Sequence, residues 1–493
     1  PRWPRRLLLR PRAHVLTPPA PPTDPQAAPD DVTQSIEKLR ERFAAFGQDH
    51  VFRFWQSLGP EQRRSLAAQA EAIDLGELRR TVEHTRRLAA PGARKLEPGP
   101  IEALPRHGGD PNRRAAARER GEALLRDGRV GVLVVAGGQG TRLGFEGPKG
   151  LFPLGPVTGR SLFALQAQRL HAARRRFGVP IPWYVMTSPA TDAATRAFFA
   201  AHDRFGLPAE DMFFLCQATA PALDFEGRLL LEAPDRIAES PNGHGGAFPA
   251  LADSGALADL ARRGITTLSY YQVDNPLVPL VDPVFLGLHA LVGAEMSAKV
   301  VRKVDPMEKV GVVARVDGRI GVVEYTEIDD QHRHLRDGEG RLVYWAGSIA
   351  VHALDVAFAG RVAADAERLL PYHASAKKIP FVDDAGRRVE PREPNGHKLE
   401  RFLFDALPAA ERVALLEVDR TEEYAPVKNA EGTDSPASAR AALDAQARRW
   451  LAGAGLTAPE DVWIELDHAR IDCEDDLRAL GVQTRIRQPP DQG

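Results

Sequence analysis

Apolar residues change their spacing near residue 130, from a helical period to short unbroken runs. Between residues 32 and 90 they recur at helix spacing, as Ile36, Leu39, Phe43 and Phe46 and then Val51, Phe52, Phe54, Trp55 and Leu58. Gly59-Pro60 ends the first piece, and residues 61–78 read as a further amphipathic helix. Residues 91–111 are rich in Pro and Gly and read as a linker, and 115–127 give one more helix. Val132, Leu133, Val134 and Val135 then form a continuous apolar run, the pattern of a central strand with helices over both faces. A helix is expected at 162–177 with Ser161 as its N-cap, then a strand at 183–187, a helix at 191–202, a strand at 212–217 and another at 268–273. Strands alternating with helices predict an α/β fold with ligands at the carboxyl ends of the strands. Residues 296–327 are β-rich, 437–455 helical and 462–493 a small terminal module. The expected division is a tail at 1–30, an accessory helical region at 31–120, a main α/β domain at 121–435 and a C-terminal module at 436–493.

Composition narrows the partners. At 493 residues the chain is several times the length of a typical single domain. A formal charge of −2 gives no global field favouring nucleic acid or an anionic membrane. Cys216 and Cys473 are too few for a disulfide framework and read as reduced thiols of a cytoplasmic protein. No apolar run approaches the roughly 20 residues that a membrane span needs. Residues 1–30 are dense in Pro and Arg, and Leu7-Leu8-Leu9 is too short for a signal peptide, so a disordered tail or misplaced start is expected.

The chemistry concentrates in residues 131–151, GVLVVAGGQGTRLGFEGPKGL. The apolar run stops at Ala136 and becomes a loop with Gly137, Gly138, Gly140 and Gly144. Glycine lets a backbone turn sharply, adopt positive φ and bring N–H groups against a ligand. Arg142 and Lys149 stand in the same loop, which therefore reads as a polyphosphate cradle. It is not the dinucleotide fingerprint, because Leu143 occupies the third glycine position and a long basic loop follows instead of a helix. It is not a P-loop either, because Lys149 is followed by Gly150 and has no Ser or Thr beside it.

A-G-G-x-G-T-R-L followed by P-K resembles the signature loop of nucleotidyltransferases that make nucleotide sugars. More narrowly, LVVAGGQGTRLG…GPKGLFPLG resembles the eukaryotic-type UDP-N-acetylhexosamine pyrophosphorylases, within the UDP-glucose pyrophosphorylase superfamily. The resemblance runs in ordered blocks from about Leu125 to Arg440 and implies a Rossmann-like, GT-A-like mixed sheet flanked by helices. It implies that Ala136, Gly137, Gly138, Gly140 and Thr141 line UTP, with Arg142 and Lys149 on its phosphates and on the transition state. Gln217 matches a glutamine that contacts the uracil, although alone it is an ordinary strand-end Gln. Gly243, in P-N-G-H-G-G, joins the UTP set, and His244 replaces an asparagine that lies beside nucleotide and sugar. The V-D-N motif makes Asp274 the metal-linked aspartate, with a turn or cap residue as the alternative. The V-V-E-Y-x-E-I block puts Glu324 and Tyr325 at the sugar, whereas read alone Glu324 could be an exposed edge-strand residue. Ser348 replaces the asparagine of an A-G-N motif near the hexosamine. H-A-S-A-K-K-I-P-F-V-D resembles a motif whose second lysine, here Lys378, reaches the UTP phosphates. P-N-G-H-K-L-E-R-F directs Lys398 at the substrate phosphate, and E-Y-A-P-V-K-N at 423–429 matches a further segment.

The implied reaction is in-line attack of a sugar-1-phosphate on the α-phosphorus of UTP, releasing pyrophosphate and forming a UDP-sugar. Bound UTP and a phosphate monoester bring about six negative charges together, and like charges in a dry site repel by several kcal/mol. One Mg²⁺ with Arg142, Lys149, Lys378 and Lys398 offsets them. The expected work is positioning and electrostatic stabilisation without a covalent enzyme group. The same chemistry on glucose-1-phosphate, or on several sugars, is the nearest rival. A non-catalytic nucleotide-binding relative is the rival from another class, and the co-occurring cations and Asp274 argue against it. The sequence leaves the sugar and the oligomeric state open.

Overall fold

The computed structural model of the protein describes residues 29–88, 96–97, 103–107 and 109–480. The expected N-terminal tail up to residue 28, and residues 481–493 of the terminal module, lie outside the described residues. The central sheet has its strands in the order Ala103–Leu104, Val413–Glu417, Met296–Arg302, Ala346–Asp355, Thr267–Gln272, Val130–Val135, Trp183–Thr187 and Met212–Cys216. Neighbours are parallel throughout except at Ala346–Asp355, which runs antiparallel to both of its neighbours. The fold is thus α/β, as the alternation predicted, with the mixed sheet flanked by helices that the family resemblance implied.

Burial explains why Val130–Val135 carries no polar residue. Val132 and Val134 pack into the core beneath the Leu162–Phe177 helix with Leu165 and Leu170. Leu133 faces the opposite core with Phe248 and Leu251 of the Ala247–Asp253 helix. From Val135 the chain crosses to Trp183–Thr187 on one side. Thr267–Gln272 pairs on the other side, and its successors lie further out in that direction. The two central strands stay paired to their carboxyl ends, and the connections beyond them leave in opposite directions, which opens the crevice where an open α/β sheet accepts a ligand. The glycine loop leaves one strand there, and Asp274 follows the other.

Local signals set several boundaries. Ser161 caps the Leu162–Phe177 helix by accepting from Ala164 N at 3.2 Å, and Gly178 ends it at φ 71°. The single helix expected at 61–78 is instead two, Pro60–Ala72 and Leu75–Leu88. Ile73 is extended, and the Asp74 carboxylate accepts from Glu77 N at 2.9 Å, which restarts the helix. A lone capping aspartate is invisible to periodicity. The described parts of the expected linker also join sheets. Leu96–Glu97 pairs with Val312–Val316, and Ala103–Leu104 forms an edge of the main sheet. Strands of two residues have no period to read.

The N-terminal helices form a third core with the small sheet elements of the main domain. Phe43, Phe52, Leu66 and Leu78 pack with Leu223, Leu229, Ile237 and Leu399. They brace the three-stranded sheet of Leu223–Asp224, Tyr372–Lys377 and Gly396–Arg401 that carries Lys398. Elsewhere the helices Pro111–Arg126 and Pro283–Val292 touch backbone to backbone. A methyl group on Gly287 would lie 1.7 Å from Ala117 O, and one on Gly121 would lie 1.8 Å from Pro283 O. Among the described residues no helix is long and apolar enough to cross a membrane.

Candidate active site

One end of the crevice is built from the glycine loop and the end of the Met212–Cys216 strand. Gln217 is 5% exposed, and its backbone N–H donates to Thr187 O at 2.9 Å. Its side chain lies so close to the loop that a methyl group on Gly137 would sit 2.4 Å from Nε2. Close approach is what requires glycine at this position. The positive φ expected of the loop glycines occurs at Gly144 and Gly147, at 69° and 135°. Gly140 is held to glycine by the Phe145 ring, 2.8 Å from where a methyl would stand. Ser188 Oγ ties the loop down by donating to Gly137 O at 2.8 Å. Gln217 Oε1 is buried with no hydrogen-bond partner among the described residues. Buried acceptors are nearly always satisfied, so this one fits an arriving donor such as a pyrimidine N–H.

The loop folds back through Lys149 N donating to Gly138 O at 2.9 Å. Lys149 Nζ then meets Asp274 Oδ2 at 3.2 Å. Asp274 is buried, and its backbone carbonyl accepts from Val427 N at 2.9 Å, which brings Lys428 to the same place. Lys428 Nζ donates to Tyr424 Oη at 3.2 Å. Burial alone would lower the Lys428 pKa, but Tyr424 and Asp274 outweigh it and hold the ammonium above its ordinary value. Asn275 fastens this segment, with Nδ2 donating to Glu423 O at 2.6 Å and Oδ1 accepting from Ala425 N at 3.1 Å. Beneath it Lys299 is fully buried between Asp282 Oδ2 at 2.7 Å and Glu423 Oε2 at 2.6 Å.

The opposite end of the crevice holds two histidines and a set of carboxylates. His244 Nδ1 accepts from Leu403 N at 3.1 Å and lies 3.4 Å from Tyr270 Oη. Burial and the neighbouring His352 and His373 lower its pKa to about 3, so the ring is neutral with its proton on Nε2. His373 is the opposite case. Its Nδ1 pairs with Glu327 Oε1 at 3.1 Å and its Nε2 with Asp405 Oδ2 at 2.8 Å, while its ring stacks on Phe402. Burial pulls its pKa down, but Asp405 and Glu327 more than offset this and hold it at about 9. Glu324 is half-buried beside them. Burial and Glu327 push its pKa up to about 7, against the pull of His373 and Lys428. If Glu324 accepts from a bound sugar, its ionised form binds better, so KM for the sugar phosphate should fall as pH rises through about 7. Because the ligand's own phosphate titrates near pH 6, the measurement is the wild-type profile divided by that of Glu324→Gln. A ratio flat from pH 6 to 8 would remove Glu324 from sugar binding.

Other expected residues are placed as follows. Gly243 takes φ 87°, and a methyl there would meet Arg401 O at 2.5 Å, so the P-N-G-H turn needs glycine on both counts. Ser348 lies at a bulge, where Ala350 takes φ 54° and the pairing register slips between Ala298 and Val300. Its Oγ accepts from Ala350 N at 3.4 Å. Lys398 is half-buried, opposite Ser375 in the small sheet. Thr141 and Arg142 occupy an exposed turn on the rim, and Ala136 is buried at the strand end. Tyr325 is exposed. Lys378 is exposed just past the end of the Tyr372–Lys377 strand, and the lysine held beside Asp274 is the half-buried Lys428. The E-Y-A-P-V-K-N segment contained that residue, but only the contact of Val427 with Asp274 reveals its place. Asn275 stood in the chain only as the last residue of the V-D-N motif, with nothing local to show that it fastens the 423–425 segment.

A buried amide against a glycine loop, with the Lys149–Asp274 pair beside the same loop at the carboxyl ends of parallel strands, is the arrangement of a ligand site at a sheet switch point. The UDPGP family, described as UTP–glucose-1-phosphate uridylyltransferase, matches residues 94–448. The chain belongs to this family. It is 41% identical to human UDP-N-acetylhexosamine pyrophosphorylase-like protein 1, covering 87% of this chain and 88% of that one. It is 35% identical to the UDP-N-acetylglucosamine pyrophosphorylase of Saccharomyces cerevisiae, covering 87% and 93%. The crystal structure of the uridine diphosphate N-acetylglucosamine pyrophosphorylase of Trypanosoma brucei superposes with a TM-score of 0.77 at 28% identity, covering 90% of this chain and 94% of that one.

Proposed function

We propose that the protein joins UTP and an N-acetylhexosamine-1-phosphate, giving a UDP-N-acetylhexosamine and pyrophosphate. One observation carries the reading: the Gln217 side-chain carbonyl, partnerless among the described residues, and the Lys149–Asp274 pair flank one glycine loop, Gln217 against Gly137 and Lys149 N on Gly138 O. The names borne by the relatives favour the N-acetylated sugar. In this reading Gln217 receives the uracil N3–H, and the loop from Ala136 to Thr141 with Gly243 surrounds the nucleotide. Arg142, Lys149 and Lys428 face the triphosphate, with Lys378 at its outer edge, and Lys398 faces the sugar phosphate. His244, Glu324, Tyr325 and Ser348 line the sugar. The two cysteines are free thiols, which suits a cytoplasmic enzyme.

Asp274 would hold magnesium. Among the described residues no group of three or more His, Cys, Asp or Glu is arranged to hold a metal. A single carboxylate suits Mg²⁺, which binds through one or two carboxylates together with substrate phosphates and water. When bound, the ion would neutralise charge on the phosphate oxygens. The chain's own residues do the rest. They fix the two phosphates in line, surround them with ammonium and guanidinium groups, and require no proton transfer from His244, whose ring is neutral at pH 7.

The altered positions His244 and Ser348 favour one second reading, transfer to glucose- or galactose-1-phosphate. The deciding experiment is pyrophosphate release with UTP, Mg²⁺ and the 1-phosphates of N-acetylglucosamine, N-acetylgalactosamine, glucose and galactose. The expected result is a kcat/KM at least tenfold higher for an N-acetylated sugar. Turnover confined to glucose or galactose forms would establish the second reading. UTP binding with no release from any sugar would leave a nucleotide-binding protein without transferase activity.

A further inference from the structure

We infer that Glu465, in the terminal module, is a positioning residue for the nucleotide loop, clamping its far end from outside the α/β domain. The inference rests on the nucleotide reading of that loop. The Glu465 side chain is 6% exposed. Its Oε2 accepts from Val157 N at 2.9 Å and Thr158 N at 2.8 Å. Its Oε1 accepts from Thr158 Oγ1 at 2.5 Å and Arg160 Nη1 at 3.4 Å. A buried carboxylate with four donors, two of them backbone N–H groups, is an anchor that an amide cannot reproduce, because an amide offers one acceptor oxygen and its NH₂ would face donors. Gly155 is part of the fit, since a methyl group there would lie 2.9 Å from Glu465 Oε2.

The clamped turn leads to Lys149 without a gap. Arg160 O accepts from Leu154 N and Gly155 N, each at 2.9 Å. Phe152 O accepts from Leu162 N at 3.1 Å, and Phe152 N donates to Lys149 O at 3.0 Å. The Phe152 ring meets Phe145 edge-on with centroids 5.5 Å apart, and Phe145 N donates to Gly140 O at 3.2 Å. Arg440, from the Pro436–Gly453 helix, donates to Pro153 O and Leu154 O at 3.0 and 3.2 Å. The module bearing Glu465 is itself held in place. Asp444 Oδ1 accepts from Ile464 N at 2.7 Å, and the buried Arg169 guanidinium reaches Asp472 at 3.2 Å, Gln446 at 3.4 Å and His468 at 3.3 Å. The terminal module and the glycine loop are therefore one hydrogen-bonded unit, and the loop's shape depends on a residue some 300 positions from it in sequence.

The test compares full-length wild type with Glu465→Ala and Thr158→Val, which breaks the same clamp from the other side. Asp467→Ala serves as the control, because Asp467, on the same module as Glu465, contacts Gln168 of the Leu162–Phe177 helix but not the turn. Glu465→Ala should raise KM for UTP at least fivefold and leave KM for the sugar phosphate within twofold, with Thr158→Val shifting UTP alone by a smaller factor. Asp467→Ala should shift neither. A residue that only stabilises the module would lower the melting temperature without this split. Hydrogen exchange is the second readout, expected to be at least tenfold faster across residues 140–158 in Glu465→Ala without ligand. It keeps the clamp testable if wild type fails to bind UTP, an outcome that overturns the nucleotide reading and leaves the clamp standing. Unchanged exchange and a UTP KM within twofold in both clamp variants would overturn the inference. Should Glu465→Ala fail to fold, Thr158→Val decides by the same two measurements.

Discussion

Lys149→Ala is expected to cut turnover at least about a hundredfold while the protein stays folded, the size of effect seen when one preorganised charge is removed from a developing anion. The side chain is 19% exposed and paired with Asp274 at 3.2 Å, so it stands between solvent and the floor of the crevice. Its removal leaves Asp274 beside Lys428, which still supplies a positive charge. That residual pairing is why the fold should survive and why the loss should fall on kcat. A hundredfold is about 2.7 kcal/mol of transition-state stabilisation. Steady-state kinetics in both directions, beside a thermal melt, make the check. Turnover within a few fold of wild type would take Lys149 out of the mechanism.

Lys299→Met is expected to have the largest effect on stability, a loss of about 3–5 kcal/mol at pH 7. Lys299 is fully buried, and its ammonium lies within 2.7 Å of two carboxylates, Asp282 and Glu423. Methionine replaces the aliphatic stem but removes the ammonium, leaving two anions without their cation. Without the lysine both carboxyls should have folded-state pKa values above their unfolded ones. The penalty is then absent where they are protonated in both states, below about pH 4, and grows as pH rises. Urea unfolding at pH 7 and pH 5 should therefore show a smaller deficit at pH 5. Equal stability of variant and wild type at pH 7 would show that the triad contributes nothing. The same substitution should loosen Glu423 to Lys428, because Glu423 is the first anchor of that segment.

Several features of the site are legible in the chain itself. The unbroken run at 132–135 fits a strand buried on both faces, and the glycines, Arg142 and Lys149 after it make sense around phosphate. Ser161 ahead of a helical period marks a helix start to the residue. These are local signals, in which a residue's neighbours in sequence are also its neighbours in space.

What sequence determined by itself was the strand-helix order, the glycine loop after the central strand and the family's ordered motifs, because period, capping and glycine placement act within a few residues. Only the tertiary structure decided which lysine stands beside Asp274 together with Lys149. The motifs single out Lys378 and give Lys428 no role, but Lys378 lies exposed past a strand end while Lys428 is drawn in by Val427 on Asp274 O. It likewise decided that Gly137 serves the approach of Gln217, that His373 is held as a cation by Asp405 and Glu327 while His244 is neutral, and that Glu465 closes on Val157 and Thr158. Each depends on a partner dozens to hundreds of residues away, brought close by burial of apolar faces that carry no information about which polar atoms will meet. The chemistry was written locally, and its charge states were set by packing.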